Sequence, residues 1–94
     1  MNNVDIRIPT PLRGFAAGNN QVSVEADSVS QAFLALVQEH PKLRKHLLTD
    51  DDQLRHFINV YVGDQDIRHL SGLETVLNDG DVIAIIPAVA GGVK

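Results

Sequence analysis

Two adjacent glycines near the end of the chain, Gly91 and Gly92, are the residues whose type and spacing best suit a chemical role. Glycine lacks a Cβ atom, so a Gly-Gly segment is a thin stretch of backbone that can enter a narrow cleft in another protein. The five residues after Pro87 span up to about 17 Å. A free carboxylate at Gly92 could attack the α-phosphate of a nucleotide and become an acyl-adenylate. The pattern predicts a tail that threads into a cleft through Val89, Ala90 and Gly91, with Gly92 as the reacting residue.

The other polar residues form no catalytic or metal-binding pattern. The histidines lack HxH or HExxH spacing, and the acidic run 50–52 lacks the glycine and distal glutamate of a calcium loop. The chain has no P-loop or GxGxxG motif, and no serine lies in a nucleophile-elbow context. The histidines are His40, His46, His56 and His69, and the serines are Ser23, Ser28, Ser30 and Ser71. We predict surface histidines, no metal, no bound cofactor and no enzyme activity. The acidic run is predicted to be a solvated connection or, alternatively, a contact for a basic partner.

Composition narrows the class of protein. Ninety-four residues suit one domain, and the absence of cysteine excludes a disulfide framework and a cysteine nucleophile or zinc site. The net charge of −4 disfavours nucleic-acid binding, which requires clustered Lys and Arg. No apolar run approaches the roughly 20 residues of a membrane span, and residues 1–5 do not resemble a signal peptide. The sequence therefore predicts a cytoplasmic protein that binds neither nucleic acid nor membranes.

The first half of the chain predicts a β-hairpin followed by a helix. Residues 4–8 and 22–26 alternate between apolar and polar side chains, which is typical of two half-buried strands. The period then changes, and apolar residues at i, i+3, i+4, i+7 and i+8 predict one helix. Its N-cap is Ser28, with Gln31 completing a capping box, or alternatively Asp27, and the helix ends before Pro41. The helical stripe is Val29, Ala32, Phe33, Leu36 and Val37.

The second half of the chain predicts further strands. Residues 43–48 suggest a short second helix or an irregular turn. The β-branched and aromatic run 57–62 is strand-like, and 65–68 could form a short edge strand. After a turn at 78–81, residues 82–86 are apolar on both faces, which is typical of a central strand covered on both sides.

This order of elements predicts an α+β fold of the ubiquitin-like β-grasp type. One main helix packs on one face of a mixed sheet of four or five strands, and the last strand lies between the first and the 57–62 strand. The predicted domain covers residues 1–87, and residues 88–94 form a flexible tail. The expected core is Val4, Ile6, Ile8, Val22, Val24, Phe33, Leu36, Val37, Ile58, Val60, Val62, Leu73, Ile83 and Ile85.

Three segments resemble a known family. Residues 78–92, Asn-Asp-Gly-Asp-Val-Ile-Ala-Ile-Ile-Pro-Ala-Val-Ala-Gly-Gly, are similar to the C-terminal signature of the ThiS/MoaD sulfur carriers. Residues 57–68 and 9–13 extend the resemblance across nearly the whole chain. The ending Pro-Ala-Val-Ala-Gly-Gly is most similar to the CysO-type carriers of cysteine biosynthesis. The resemblance implies a β-grasp fold and a Gly-Gly carboxylate that an E1-like adenylyltransferase activates with ATP.

The resemblance also implies the chemistry after activation. Sulfur converts the adenylate of Gly92 to a thiocarboxylate, which donates sulfur to an accepting synthase in cysteine or related thiol biosynthesis. That synthase is a cysteine-synthase-like enzyme, with an O-activated serine as acceptor, or a molybdopterin or thiazole synthase; tRNA thiolation is also open. The alternatives are a ubiquitin-like modifier joined to lysines, a non-catalytic interaction module, or a MoaD-like small subunit of molybdopterin synthase.

The chain departs from the family pattern after Gly92, where it continues with Val93 and Lys94. With these residues attached, Gly92 has an amide carbonyl and no carboxylate, so it cannot be adenylated. We therefore predict a precursor that a peptidase cuts between Gly92 and Val93. Similarity to relatives with short extensions implies a JAMM-type metalloprotease. The alternative is that the two residues are a harmless remnant.

Alternation along the strands also predicts a partner surface. If every second residue of the 82–86 strand faces the helix, the others lie together on the opposite sheet face. The same rule adds alternate residues of the predicted 57–62 strand to that face. Apolar patches on small acidic proteins mark interaction sites, although a loop or a second copy of the chain could cover this one. We name this the open-face patch, and it comprises Phe57, Tyr61, Val82, Ala84 and Ile86.

Overall fold

A computed structural model describes residues 2–87, within which five strands form one mixed sheet. The elements are β1 (Asn2–Arg7), β2 (Gln21–Ala26), α1 (Val29–Glu39), α2 (Arg44–Leu47), β3 (Ile58–Val62), β4 (Gln65–Asp66) and β5 (Val82–Pro87). Short 3-10 helices at Thr10–Ala16, Pro41–Leu43, Ile67–His69 and Gly72–Glu74 lie between them. None of the helices in this part of the chain combines the length and apolar character needed to cross a membrane.

The strand order is β2-β1-β5-β3-β4, which places the last strand in the middle of the sheet. β5 runs parallel to β1 and antiparallel to β3, while β1–β2 and β3–β4 are antiparallel pairs. A parallel neighbour requires a crossover, and α1 lies within the chain segment that makes it. The ubiquitin-like β-grasp and the central position of the last strand are both confirmed.

Local hydrogen bonds explain why α1 begins where it does. Ser28 is the N-cap, and its Oγ accepts a 3.2 Å hydrogen bond from the backbone N–H of Gln31. The side chain of Gln31 accepts in return from the backbone N–H of Asp27, at 2.8 Å. Ser28 is therefore the cap. In the usual capping box the Gln31 side chain would accept from the N–H of the cap residue itself, whereas here it accepts from the residue before the cap. All five residues of the predicted helical stripe are buried.

The predicted core is confirmed except for Val62 and Leu73, which are half-buried and pack against its edge. Val62 is the last residue of β3, beside the turn at Gly63, and Leu73 lies in a 3-10 helix near the surface. Several residues outside the predicted core are also buried, most of them in or beside the segments that connect the long elements. These are Leu12, Ala16, Ala26, Leu43, Leu47, Leu48, Ile67 and Leu77.

Three further expectations are corrected. The predicted edge strand 65–68 stops at Asp66, because the Asp66 carboxylate accepts from the N–H of Arg68 and starts a 3-10 turn. β5 is central but is not covered on both faces, since Ile86 is 47% exposed. His46 is not a surface histidine: its ring stacks on Phe15, with centroids 4.1 Å apart, and its Nε2 atom is buried.

Candidate functional site

The predicted tail residues Val89, Ala90, Gly91, Gly92 and Val93 lie outside the described residues. The described residues end at Pro87, the last residue of β5, which directly precedes the predicted tail in the sequence. We name this residue the base of the predicted tail. The core-facing residues Ile83 and Ile85 of β5 are 0% and 3% exposed, so the hydrophobic core fixes the strand that ends at this base.

The pairing of β5 with its two neighbouring strands ends at different residues. On one side the parallel pairing stops where Arg7 of β1 lies opposite Ala84. On the other side the antiparallel pairing continues to the last residue of the strand, where Ile58 of β3 lies opposite Pro87. Within residues 2–87, the three residues 85–87 thus pair with β3 alone. Proline supplies no backbone N–H, so the sheet ladder ends naturally at Pro87.

A tight turn at residues 78–81 fixes where β5 begins. The carboxylate of Asp81 accepts a 2.8 Å hydrogen bond from the N–H of Asn78, and Gly80 has a φ of 89°, which favours glycine. The turn is tied to β1, because the N–H of Gly80 donates to the carbonyl of Asn3 at 2.8 Å. This turn and the central pairing together set the register of β5, the strand that precedes the predicted tail in the sequence.

Four of the five predicted patch residues share the open face of the sheet. The alternation that buries Ile83 and Ile85 turns Val82, Ala84 and Ile86 to the other side. Tyr61 lies directly opposite Ala84 in the β3–β5 pair. Ile86 is 47% exposed, and the other three are half-buried.

Phe57 differs from the other patch residues. It is 41% exposed but lies in a turn before β3, so strand alternation does not determine its direction. Its ring stands edge-on to His56, with centroids 6.1 Å apart. Inside the sheet the position next to Ile86 belongs to Asn59. The apolar surface on the strands is therefore smaller than predicted.

Charged residues border the open-face patch, and the sequence patterns did not predict that these residues would lie there. Asp5 and Arg7 of β1 lie opposite Val82 and Ala84. On the other side Tyr61 lies opposite Asp66 of β4. Their alternation with buried Val4 and Ile6 was visible in the sequence, but their position beside β5 required the strand order.

The border on the β4 side is an ion pair between Asp66 and Arg68, whose Oδ2 and Nη2 atoms are 2.7 Å apart. The Arg68 backbone N–H also donates to the same carboxylate, at 2.9 Å. The side-chain hydrogen bond from Arg68, followed by its backbone N–H, lowers the pKa of Asp66 from 3.8 to about 2. The carboxylate is thus ionised at neutral pH and fixes a charge beside Tyr61.

The histidines and the acidic run do not converge on one site. Among residues 2–87, no three side chains of the His, Cys, Asp or Glu type are grouped as metal ligands. His40 lies at the end of α1, His56 and His69 are exposed, and His46 is stacked on Phe15.

Comparison with known proteins agrees with this geometry. The sequence matches the ThiS family over residues 6–92. It is 37% identical over 92 residues to the sulfur carrier protein CysO of Mycobacterium tuberculosis, covering 96% of this chain and 99% of that protein.

Two solved structures are similar to this chain over nearly its whole length. CysO in the BexX/CysO complex of Amycolatopsis orientalis superposes with a TM-score of 0.87 and 38% identity, covering 95% of this chain and 99% of that chain. The small archaeal modifier protein 1 of Methanosarcina acetivorans superposes with a TM-score of 0.87 and 34% identity, covering 98% of both chains.

The β-grasp fold, with a central last strand that leads to Gly-Gly, defines the class of ubiquitin-like carrier proteins. Within that class the chain belongs to the ThiS family, and it is a sulfur carrier protein of the CysO/ThiS/MoaD type. Proteins of this kind are generally non-catalytic.

Proposed function

We propose that Gly92, after removal of Val93 and Lys94, is adenylated by an E1-like enzyme and then carries sulfur as a thiocarboxylate. The observation that carries this proposal is the extent of the family match, which ends at Gly92 although the chain continues for two residues. The acceptor class is an O-activated serine in cysteine or related thiol biosynthesis. Similarity to CysO over nearly the full length supports this choice.

Each proposed step balances in atoms and leaving groups. Water cleaves the Gly92–Val93 peptide bond, with a JAMM-type metalloprotease as the proposed peptidase, and leaves a carboxylate on Gly92. One carboxylate oxygen attacks the α-phosphate of ATP, and pyrophosphate leaves. A sulfur nucleophile then attacks the carbonyl carbon, and AMP leaves with the former carboxylate oxygen. ATP is a substrate of the partner, and this chain binds no cofactor.

The chain contributes positioning to these steps. Pairing of Pro87 with Ile58 holds the end of β5, and the five residues 88–92 would span at most about 17 Å if fully extended. The open-face patch offers the E1-like enzyme and the accepting synthase an apolar contact beside this base, because Ile86 directly precedes Pro87. Contact there would orient the tail toward the partner's active site.

A second candidate function is a protein modifier. The similarity to small archaeal modifier protein 1 of Methanosarcina acetivorans, over 98% of both chains, favours it specifically. The same adenylate would then be attacked by the amine of a target lysine, giving an amide bond and AMP. The MoaD-like alternative remains a prediction.

Intact mass spectrometry of the chain isolated from its native host tests both proposals. Loss of Val93 and Lys94, followed by exchange of one oxygen for sulfur, is the expected result for a sulfur carrier. A Gly92–lysine adduct on other proteins without any thiocarboxylate would favour the modifier. A chain that keeps Val93 and Lys94 under all growth conditions would contradict both.

A further inference from the structure

A second surface stands out because of its charge. Four cationic side chains, Lys42, Arg44, Lys45 and Arg55, line a hollow of about 390 Å³ beside α2. The whole chain has eight Lys and Arg against twelve Asp and Glu. Half of its Lys and Arg residues therefore surround one concave surface, which we name the basic hollow.

The carboxylates nearby do not neutralise the basic hollow. Arg44 forms an ion pair with Asp52, and Asp50 also lines the hollow. Among residues 2–87, the other three cations have no carboxylate within the 4.0 Å of an ion pair. Even if Asp51, which lies between Asp50 and Asp52 in the chain, is counted as well, four cations stand against three carboxylates, in a protein whose net charge is −4.

Two hydrogen bonds hold Arg55 in place. Its backbone N–H donates to the carbonyl of Leu47 at 3.0 Å, and its Nε donates to the carbonyl of Lys45 at 2.6 Å. No hydrogen bond joins its two Nη groups to any other part of residues 2–87, so they are available as a pair of donors. A guanidinium fixed through Nε loses little further entropy when it binds a carboxylate through Nη.

The basic hollow is connected to the end of β5. The carbonyl of Arg55 accepts a 2.9 Å hydrogen bond from the N–H of Ile58, and Ile58 lies opposite Pro87. A partner protein that contacts the end of β5 therefore also lies near Arg55.

We propose that the basic hollow docks an acidic segment, containing two or more Asp or Glu residues, of the partner protein that receives the tail. This inference rests on the proposed function for the identity of that partner. The carboxylates would contact the Nη groups of Arg55 and the ammonium groups of Lys42 and Lys45. Such charge pairs at an interface raise the rate of association and fix orientation.

Charge and composition favour a protein partner over nucleic acid. A net charge of −4 opposes a long polyphosphate backbone, whereas a short acidic segment needs only a local excess of cations. No aromatic residue lines the hollow, so bases would have no ring on which to stack.

The test uses octaglutamate as the probe and the full chain as the protein. We expect binding at low salt, observed as amide NMR shifts centred on Lys42, Lys45 and Arg55, and weakened at high salt. Lys42→Glu and Lys45→Glu should each raise the Kd about fivefold or more. Both lysines are exposed and make no side-chain hydrogen bond within residues 2–87, so the fold should persist.

Arg7→Glu is the matched control, because it makes the same change of charge at an exposed position on the open face of the sheet. It should change the Kd by less than about twofold. Equal weakening by all three variants, or no binding, would overturn the proposal. Tighter binding of pyrophosphate or of an eight-nucleotide thymidine oligomer at the same amides would also overturn it.

A second measurement uses the chain ending at Gly92 and its E1-like enzyme. Lys45→Glu should raise the KM for the carrier about fivefold with little change in kcat. An unchanged KM would show that this partner does not use the hollow. If the unmodified truncated chain is not adenylated at all, the proposed function fails, while the octaglutamate result stands by itself.

Discussion

Ile58 and Pro87 lie opposite each other at the last paired position of β3 and β5. Ile58 is 6% exposed, so the residue that supports the end of β5 is itself part of the core. At this position β1 no longer pairs with β5. The carbonyl of Arg55 accepts a hydrogen bond from the backbone N–H of Ile58. The base of the tail, the open-face patch and the basic hollow are therefore linked through one buried residue.

Ile58→Ala should test how firmly that base is held. Loss of a buried side chain should lower the free energy of unfolding by about 2–4 kcal/mol, as measured by urea denaturation. Val76→Ala is the control, because Val76 is 74% exposed, and it should change the free energy by less than about 0.5 kcal/mol. Equal effects of the two substitutions would contradict the role given to Ile58.

The ion pair at the border of the patch predicts a dependence of stability on pH. The pKa of Asp66 is lowered in the folded state from 3.8 to about 2, so its stabilising contribution is complete above pH 3.8. It is lost as the pH falls through about 2, since both states then bind the proton. Urea unfolding at several pH values should show a stability difference between the unmodified chain and Asp66→Asn that shrinks in this range.

Asparagine can still accept the hydrogen bond from the N–H of Arg68, so this substitution mainly removes the charge. Asp64→Asn, at an exposed residue nearby, is the control, because it removes one carboxylate that is not part of the ion pair. A difference for Asp66→Asn that stayed constant from pH 7 to pH 2 would show that the carboxylate charge contributes nothing.

The open-face patch predicts defects that are specific to partner binding. Ile86→Asp and Tyr61→Asp should leave the fold intact and weaken adenylation by the E1-like enzyme about tenfold or more, because a desolvated charge in an apolar contact is unfavourable. Leu34→Asp is the matched control, since Leu34 is 42% exposed on α1 and Ile86 is 47% exposed. Steady-state kinetics with variants ending at Gly92 measure the effect. Unchanged kinetics for both patch variants would remove the patch from the mechanism.

The sequence predicted those parts of the fold that repeat with a regular period. Alternation in β1, β2 and β3 and the stripe of α1 determine the faces that they bury, and these predictions are confirmed except at Val62, the last residue of β3. Leu43 and Leu47 belong to the core but lie in short helical turns without a usable period. Their burial depends on contacts between distant segments, which periodicity does not report.

The candidate site was predicted in part for the same reason. Tyr61, Ala84 and Ile86 lie in strands, so alternation placed them on one face. Alternation does not apply to Phe57, which precedes the strand, so its place in the patch stays a prediction. The contact between Phe15 and His46 joins residues far apart in the chain, and no local pattern predicts it.

The tail gives the last prediction. A chain ending at Gly92 should support exchange of pyrophosphate with ATP when its E1-like enzyme is present, and the 94-residue chain should not. The reason is chemical, because only a free carboxylate oxygen can attack the α-phosphate. In the truncated chain, Gly92→Ala should react poorly, since its methyl group crowds a cleft that fits bare backbone and restricts φ.

The stability of the three forms provides the control. Urea unfolding should give the same midpoint for the 94-residue chain, the chain ending at Gly92 and its Gly92→Ala variant, because short terminal segments contribute little to a core. Any difference in exchange then belongs to the tail and not to the fold. Adenylation of the 94-residue chain as fast as the truncated one, with no trimming visible by mass spectrometry, would show that the precursor model is wrong.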